Sequence, residues 1–365
     1  MYLKLSVIAA LATFATAAPS TTTTAAGAPA APSSSPSVPA SLIPLPAFSG
    51  TLVGVYPPQD KTAPTDTPLV KQWLQELNLT AIPTWPVVPF TAAGDPQNPT
   101  AIPAASCDWT ETNCINKDLT TCPLGVWGLT YDDGPTEFSG KLYDFLDTTD
   151  QKATLFYIGS NVIQNPALAR RACGAGHHIA VHTWSHNPST SLTNEQFVAE
   201  VKYTEMAIKE LCGFTPTYFR PPYGDIDDRI RSLLWAMGYT STGHMTLEHE
   251  LYQNTVDAAI ANLPKVQATW KTMPVSACMN DAHPYKEKNI TLATMDGAKT
   301  GVTNNSTTSS TAAASASSTA SAGSSTASGS VSHSTTGSGA VVNVAVSSVA
   351  VLAVAAVTLG QMMLL

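Results

Sequence analysis

An α/β fold built on a parallel sheet is predicted, and three observations carry it. Short apolar runs that end in turn residues alternate with segments of helical spacing. The helical segments start and stop on the residue types helices prefer. Polar clusters follow successive strands, where an α/β sheet keeps its chemistry. All but Lys4 of the 18 basic and 26 acidic residues lie between Asp60 and Lys299, so the foldable part is about 240 residues, enough for one sizeable core. At that length the alternation fits either a barrel or a doubly wound sheet.

The elements follow in order. Val126–Tyr131 is predicted as a strand ending at the turn Asp132-Asp133-Gly134-Pro135. Phe138, Leu142, Phe145 and Leu146 recur at helical spacing, and Ala153–Ile158 reads as a buried strand. Pro166 opens a helix that stops near Gly174 or Gly176. Ile179–Val181 is the next strand. Thr193 and Gln196 form a capping box for a helix through Phe197, Val201, Ile208 and Leu211, closed by Gly213. Thr217–Phe219 is a strand, Ile226–Met237 a helix stopped at Gly238, and Gly238–Thr240 begins a further strand.

The two ends read as addresses. Residues 1–18 combine Lys4, an apolar stretch from Leu5 to Ala12 and the small residues Ala15-Thr16-Ala17, the pattern of a secretory signal peptide. Residues 340–365 carry no charge and are long enough to span a bilayer. No basic flank follows them, and Gly323–Gly339 supplies small residues and a polar spacer, so a glycosylphosphatidylinositol (GPI) signal is favoured over a transmembrane helix. Attachment is expected at one of Gly323, Ser324, Ser325, Ser328, Gly329 or Ser330. Residues 19–59 are a Ser/Thr/Pro-rich linker and 300–339 a Ser/Thr-rich stalk, compositions that cannot offset chain entropy by burial. Asn78, Asn289, Asn304 and Asn305 each begin an N-x-[ST] sequon suited to that compartment.

The net charge of −8, without a basic cluster, excludes a nucleic-acid partner. Six cysteines in an oxidising compartment are expected to pair, with connectivity open. Three of them, Cys107, Cys114 and Cys122, lie in an N-terminal extension, residues 60–122, ahead of a main domain at 123–299.

Three clusters stand at strand ends: Asp132-Asp133, then His182-Thr183-Trp184-Ser185-His186, then Arg220-Pro221-Pro222-Tyr223. Parallel strands place all three on one face. Alone, the first is a solvated turn, the second an incidental histidine pair without the glutamate of H-E-x-x-H, and the third a rigid strand exit. Together they make chemistry. Two imidazoles and a carboxylate form a three-ligand site with a position left for water, and the second carboxylate is free to act as general base.

These segments, with Thr130-Tyr131 before the first, resemble the first three motifs of the polysaccharide deacetylases, carbohydrate esterase family four. Leu247-Glu248-His249-Glu250 resembles the fifth. The signal, stalk and tail are similar to those of the fungal GPI-anchored chitin deacetylases within that family. The resemblance covers roughly Trp127–Cys278 and implies a distorted (β/α) barrel. It implies metal-dependent hydrolysis of N-acetyl groups of chitin, giving chitosan and acetate at the cell surface or wall. It implies Asp132 as base, Asp133, His182 and His186 as ligands of Zn²⁺ or Co²⁺, and Arg220 orienting the base. The Tyr223 backbone N–H would hold the oxyanion, and His249 would protonate the leaving amine. Chitin or its oligomers, other wall glycans and a membrane reached through the GPI lipid are the implied partners. An inactive chitin-binding wall protein and a deacetylase of another acetylated polysaccharide are the alternatives.

The fourth motif has no counterpart. A strand–crossover–strand unit needs about 30 residues, and the interval from Tyr239 to Met245 is short by one barrel unit. An exposed apolar sheet edge and an unoriented His249 are the expected consequences.

Overall fold

The computed structural model describes residues 42–302 apart from 92–95, 98–101, 244 and 298. The predicted signal peptide, the stalk beyond Val302, the tail, the GPI attachment residues, Asn304 and Asn305 lie outside the described residues.

In chain order come α1 (Pro68–Gln75), α2 (Trp109–Thr112), β1 (Val126–Gly128), β2 (Thr130–Gly134), α3 (Ser139–Thr148) and β3 (Thr154–Tyr157). Next are α4 (Gly159–Gln164), α5 (Pro166–Gly174), β4 (His178–Val181), α6 (Asn194–Cys212) and β5 (Tyr218–Phe219). Then follow α7 (Asp228–Ala236), β6 (Thr240–Ser241), α8 (Gln253–Gln267), β7 (Lys271–Met273) and α9 (Val275–Cys278). The predicted caps are in place. Thr193 and Gln196 close a reciprocal capping box on α6, and Gly213 ends it in the left-handed region at φ 83°.

Among the described residues β2-β3-β4-β5-β6 form a five-stranded parallel sheet in sequential order. The strand predicted as one piece at Val126–Tyr131 is two, because its halves pair differently. β1 pairs with β7, and β2 pairs with β3. Leu129 makes the switch: its N–H donates to Met273 O at 2.9 Å and its carbonyl accepts from Thr154 N–H at 2.9 Å.

Both faces of the sheet are covered, as the near-continuous apolar runs require. Tyr131, Leu155, Ile179, Val181 and Phe219 point outward into a core shared with Leu142, Leu146, Phe197, Val201 and Leu233. Their alternating neighbours Phe156, Ala180 and Tyr218 pack inward with Val275, Leu119 and Met245. Sequential parallel order with a filled inner face is consistent with the expected barrel, although no ring of ladder bonds closes among the described residues.

The N-terminal extension belongs to this packing. Ala63, Val70 and Ile82 are buried in the main core, and so is Ile43, which falls in the stretch expected to be linker. All six cysteines pair, as Cys107–Cys114, Cys122–Cys278 and Cys173–Cys212. The second bridge ties the lead-in of β1 to the end of α9, and the third joins the ends of α5 and α6.

The sheet does not show the bare edge that the sequence predicts. On the outer side of β6, Leu119 N–H donates to Ser241 O at 3.0 Å and Gly243 N–H donates to Leu119 O at 2.8 Å. On the free side of β2, Asp132 N–H donates to Glu248 O at 2.9 Å and Glu250 N–H donates to Asp132 O at 3.0 Å. The extension and the fifth motif therefore supply the backbone partners that the predicted exposed edge lacks.

Asp118 fixes the first of these partners. Its carboxylate takes the fully buried Arg231 at 2.7 Å, and it also accepts from the Ser241 hydroxyl. Asp118→Ala leaves the buried guanidinium with Asp228, 3.0 Å away, as its remaining carboxylate, and is expected to cost ~3 kcal/mol of stability in urea unfolding.

Candidate active site

Alternation along a strand sends consecutive side chains to opposite faces, yet Asp132 and Asp133 serve the same site. Asp133 has a left-handed backbone, φ 71°, and the β2–β3 register shifts between Asp132 and Gly134. The bulge turns the second aspartate back toward the first. Three more site residues share that conformation: Thr183 (φ 64°), His186 (φ 57°) and Tyr223 (φ 58°). Non-glycine residues rarely hold it without surrounding support, and such strain gathers at functional sites.

The ligand atoms of Asp133, His182 and His186 lie within 4.8 Å of one another. Asp133 Oδ1 stands 3.4 Å from His182 Nε2 and 3.1 Å from His186 Nε2. His182 Nδ1 lies 2.7 Å from Arg220 O, and a carbonyl can only accept, so Nδ1 carries the proton. Nε2 is the nitrogen left to face a cation or, when it carries a proton, Asp133, whose buried Oδ1 has no other hydrogen-bond partner of good geometry among the described residues. Acceptors converging in a buried place call for a cation. Two histidines and a carboxylate, one of them with an oriented second nitrogen, fit a divalent transition metal. Burial would raise the Asp133 pKa, but hydrogen bonding and charge from the two histidines carry it well below the usual carboxylate range. Burial would lower that of His182, and Asp133 beside it reverses the direction.

Asp132 sits beside this cluster, 1% exposed. The buried Arg220 donates from Nη1 to Asp132 Oδ1 at 2.7 Å and to Thr130 Oγ1 at 2.9 Å, and from Nη2 to Gly243 O at 3.2 Å. The Tyr223 ring packs 4.8 Å from that of His186. None of the hydrogen bonds among the described residues uses the Tyr223 N–H. His249 pairs with Asp132 across the sheet edge in parallel register, which places the two on one face. Among the described residues no carboxylate forms an ion pair with the His249 ring.

The structure thus gathers Asp132, Asp133, His182, His186, Arg220 and Tyr223, and brings His249 alongside through its backbone. Asn78 and Asn289 are exposed on the surface. Two participants were given no role by the sequence, Glu200 outside any motif and Glu250 at the end of the segment that resembles the fifth. Glu200 on α6 holds the loop between the two histidines through hydrogen bonds to Trp184 and Ser185; a glutamate inside an apolar helix face was its only signal. Glu250 lies fully buried under Gly134, close enough that a Cβ at position 134 would run into its carboxyl.

Residues 121–242 match the family described as "Polysaccharide deacetylase". The chain is 34% identical over 284 residues to chitin deacetylase 1 of Cryptococcus neoformans var. grubii, covering 63% of this chain and 60% of that protein. It is 38% identical over 245 residues to a chitin deacetylase of Amylomyces rouxii, covering 54% of this chain and 58% of that protein. The chain therefore spans somewhat over half the length of these relatives. Among solved structures, the chitin deacetylase of Colletotrichum lindemuthianum aligns with a TM-score of 0.44 at 25% identity, over 47% of this chain and 96% of that one.

Glu250 gives the folded chain a distinctive pH response. Burial, the largest cause, pushes its pKa up to about 8, with help from the nearby aspartates, and neither carboxyl oxygen has a hydrogen-bond partner of good geometry among the described residues. A carboxyl raised in the folded state favours folding below its unfolded pKa and loses that contribution as pH rises through about 8. Glu250→Gln cannot ionise. Its melting temperature relative to the parent is expected to rise between pH 5 and pH 9, by the equivalent of a few kcal/mol; a constant difference would mean that Glu250 is ionised throughout.

Proposed function

We propose that the protein hydrolyses N-acetyl groups of chitin, releasing acetate and leaving the free amine, at the cell surface or wall. The observation that carries the reading is Asp132 beside the Asp133–His182–His186 cluster with Arg220 behind it. Asp133, His182 and His186 hold Zn²⁺ or Co²⁺. When bound, the cation polarises the acetyl carbonyl and lowers the pKa of a coordinated water toward ~7.

The remaining steps belong to the side chains. Asp132, oriented by the Arg220 guanidinium, takes the proton of the attacking water. The new C–O bond forms at the acetyl carbon, and the Tyr223 N–H donates to the oxygen that gains charge. The C–N bond then breaks as His249 delivers a proton to the departing amine. The exposed Tyr223 and Leu247, 53% and 52% accessible, flank the strand ends and offer apolar surface to a sugar ring. The named relatives are chitin deacetylases, which favours chitin over other acetylated polysaccharides.

One observation favours a second reading, an inactive chitin-binding wall protein on the same scaffold. The His249 ring lacks an orienting carboxylate among the described residues, and a misplaced acid forfeits about 10²–10⁴ in rate. Acetate release separates the two. Incubated with chitin oligomers, the enzyme is expected to release acetate, to stop with a chelator and to recover with Zn²⁺ or Co²⁺. Asp132→Asn is expected to lose turnover yet keep the metal; loss of metal would mean that the two aspartates exchange roles. Oligomer binding without acetate release is the result of the second reading.

The GPI anchor is part of the same proposal and rests on the charge-free tail after Gly339. Asn78 and Asn289, both exposed, and Asn304 and Asn305 are the proposed glycan sites. No helix among the described residues is long and apolar enough to cross a membrane. Phosphatidylinositol-specific phospholipase is expected to release the protein from membranes. Retention until detergent is added, with the extreme C-terminus still present, would assign the tail as a transmembrane helix.

A further inference from the structure

Between the two histidine ligands the chain makes a tight loop, Thr183-Trp184-Ser185, entered and left through the left-handed residues Thr183 and His186. Left alone, such a segment relaxes toward ordinary backbone conformations. A single carboxylate holds it. Glu200 is fully buried. Its Oε2 accepts from Trp184 N–H at 2.9 Å and from Ser185 N–H at 2.8 Å, while Oε1 accepts from the Ser185 hydroxyl at 2.9 Å. A fourth bond reaches Oε1 from Ala63 N–H at 2.8 Å, far away in sequence.

That fourth bond belongs to a strap. Residues 56–63 lie across the loop: Tyr56 stacks on Trp184 with ring centroids 5.8 Å apart, and Trp184 Nε1 donates to Pro58 O at 3.1 Å. Thr62 Oγ1 accepts from Asn187 at 2.9 Å. The Tyr56 hydroxyl is itself held by Glu210, further along the same helix, at 2.7 Å. From the other side the start of α4 takes the loop carbonyls, with Gly159 N–H on Thr183 O at 2.9 Å and Ser160 N–H on Trp184 O at 3.1 Å.

We infer that Glu200 is the positioning residue of the metal centre, and that it and the strap set metal affinity by holding His182 and His186 at ligating separation. Neither touches a ligand atom; both act through the loop. The inference rests on Asp133, His182 and His186 being metal ligands, but not on the substrate. The four donors need both oxygens as acceptors. Glu200→Gln keeps the shape and replaces one acceptor with an NH₂ that faces donors, so one side of the clasp opens.

Metal affinity is the readout, measured by calorimetric titration of the full chain with Zn²⁺ and by the absorption spectrum of the Co²⁺-loaded protein. Glu200→Gln is expected to weaken Zn²⁺ binding about 10–100-fold, the usual effect of losing an outer-shell partner, and to shift the Co²⁺ bands. Leu142→Ala on α3 is the control for stability alone. It is expected to lower the melting temperature of the metal-free protein and leave the Zn²⁺ dissociation constant in place. Glu200→Gln binding Zn²⁺ within threefold of the parent, with unshifted Co²⁺ bands, would overturn the inference. If that variant does not fold, Tyr56→Leu decides by the same titration: severalfold weaker binding supports the role of the strap, and unchanged binding overturns it. A parent chain that binds no divalent metal would overturn both this inference and the metal reading, whereas tight metal binding without acetate release would sink only the deacetylase reading.

Discussion

A buried arginine is the constraint on which the site depends. Taking a guanidinium out of water costs several kcal/mol unless its donors are met, and Arg220 is 0% exposed. Its two Nη groups meet this need, while Nε has no partner among the described residues, by drawing three separate pieces of chain together: Thr130 and Asp132 on β2, Gly243 after β6, and the face of Phe156 on β3 at 4.2 Å. Its own carbonyl fixes the tautomer of His182. One residue therefore orients the candidate base and, through its backbone, the candidate ligand. Lysine offers a single compact charge and could not span the same partners.

Strain and support are matched around it. Asp133, Thr183, His186 and Tyr223 all sit in the left-handed region, and each is pinned by groups from elsewhere. Asn161 on α4 donates to the Asp133 carbonyl at 2.7 Å, and the His186 N–H donates to Thr183 Oγ1 at 3.0 Å. Behind the Tyr223 loop, the buried Asp225 takes both the N–H and the hydroxyl of Thr190. The strands set where the functional residues emerge. The irregular backbone sets where their side chains meet.

The sequence made some of this legible and hid the rest for physical reasons. Capping box, Pro start and Gly stop are local chemistry, so α5 and α6 came out close to their true limits. Asp132-Asp133, His182/His186 and Arg220 could be placed together because parallel strands align their carboxyl ends whatever the register. Other features were non-local. The Leu129 switch, the 248–250 pairing and the choice of Cys122 for Cys278 depend on partners more than 100 residues away and have no signal in either segment alone. α8 carries Pro264 within it, which masks a helix from propensity reasoning. Glu200 looked like one more charge on a helix until its four donors were seen.

The short crossing from β6 to residues 248–250 shows what covering a sheet edge requires. Leu119 bonds to β6, residues 248–250 bond to β2, and Met245, a shape-tolerant side chain, fills the interior beside Phe156 and Tyr218. The Thr130 hydroxyl, bonded to Thr246 O at 2.8 Å, ties down the crossing chain. Covering an edge needs only backbone groups and apolar volume, so an unrelated segment can do it. Orienting an imidazole needs one acceptor at one place. The sheet register delivers residue 249 next to Asp132, but register governs the Cα and the face, not the rotamer. Backbone placement therefore needs only the short crossing, while orientation of the His249 ring depends on a specific partner that edge cover alone does not bring.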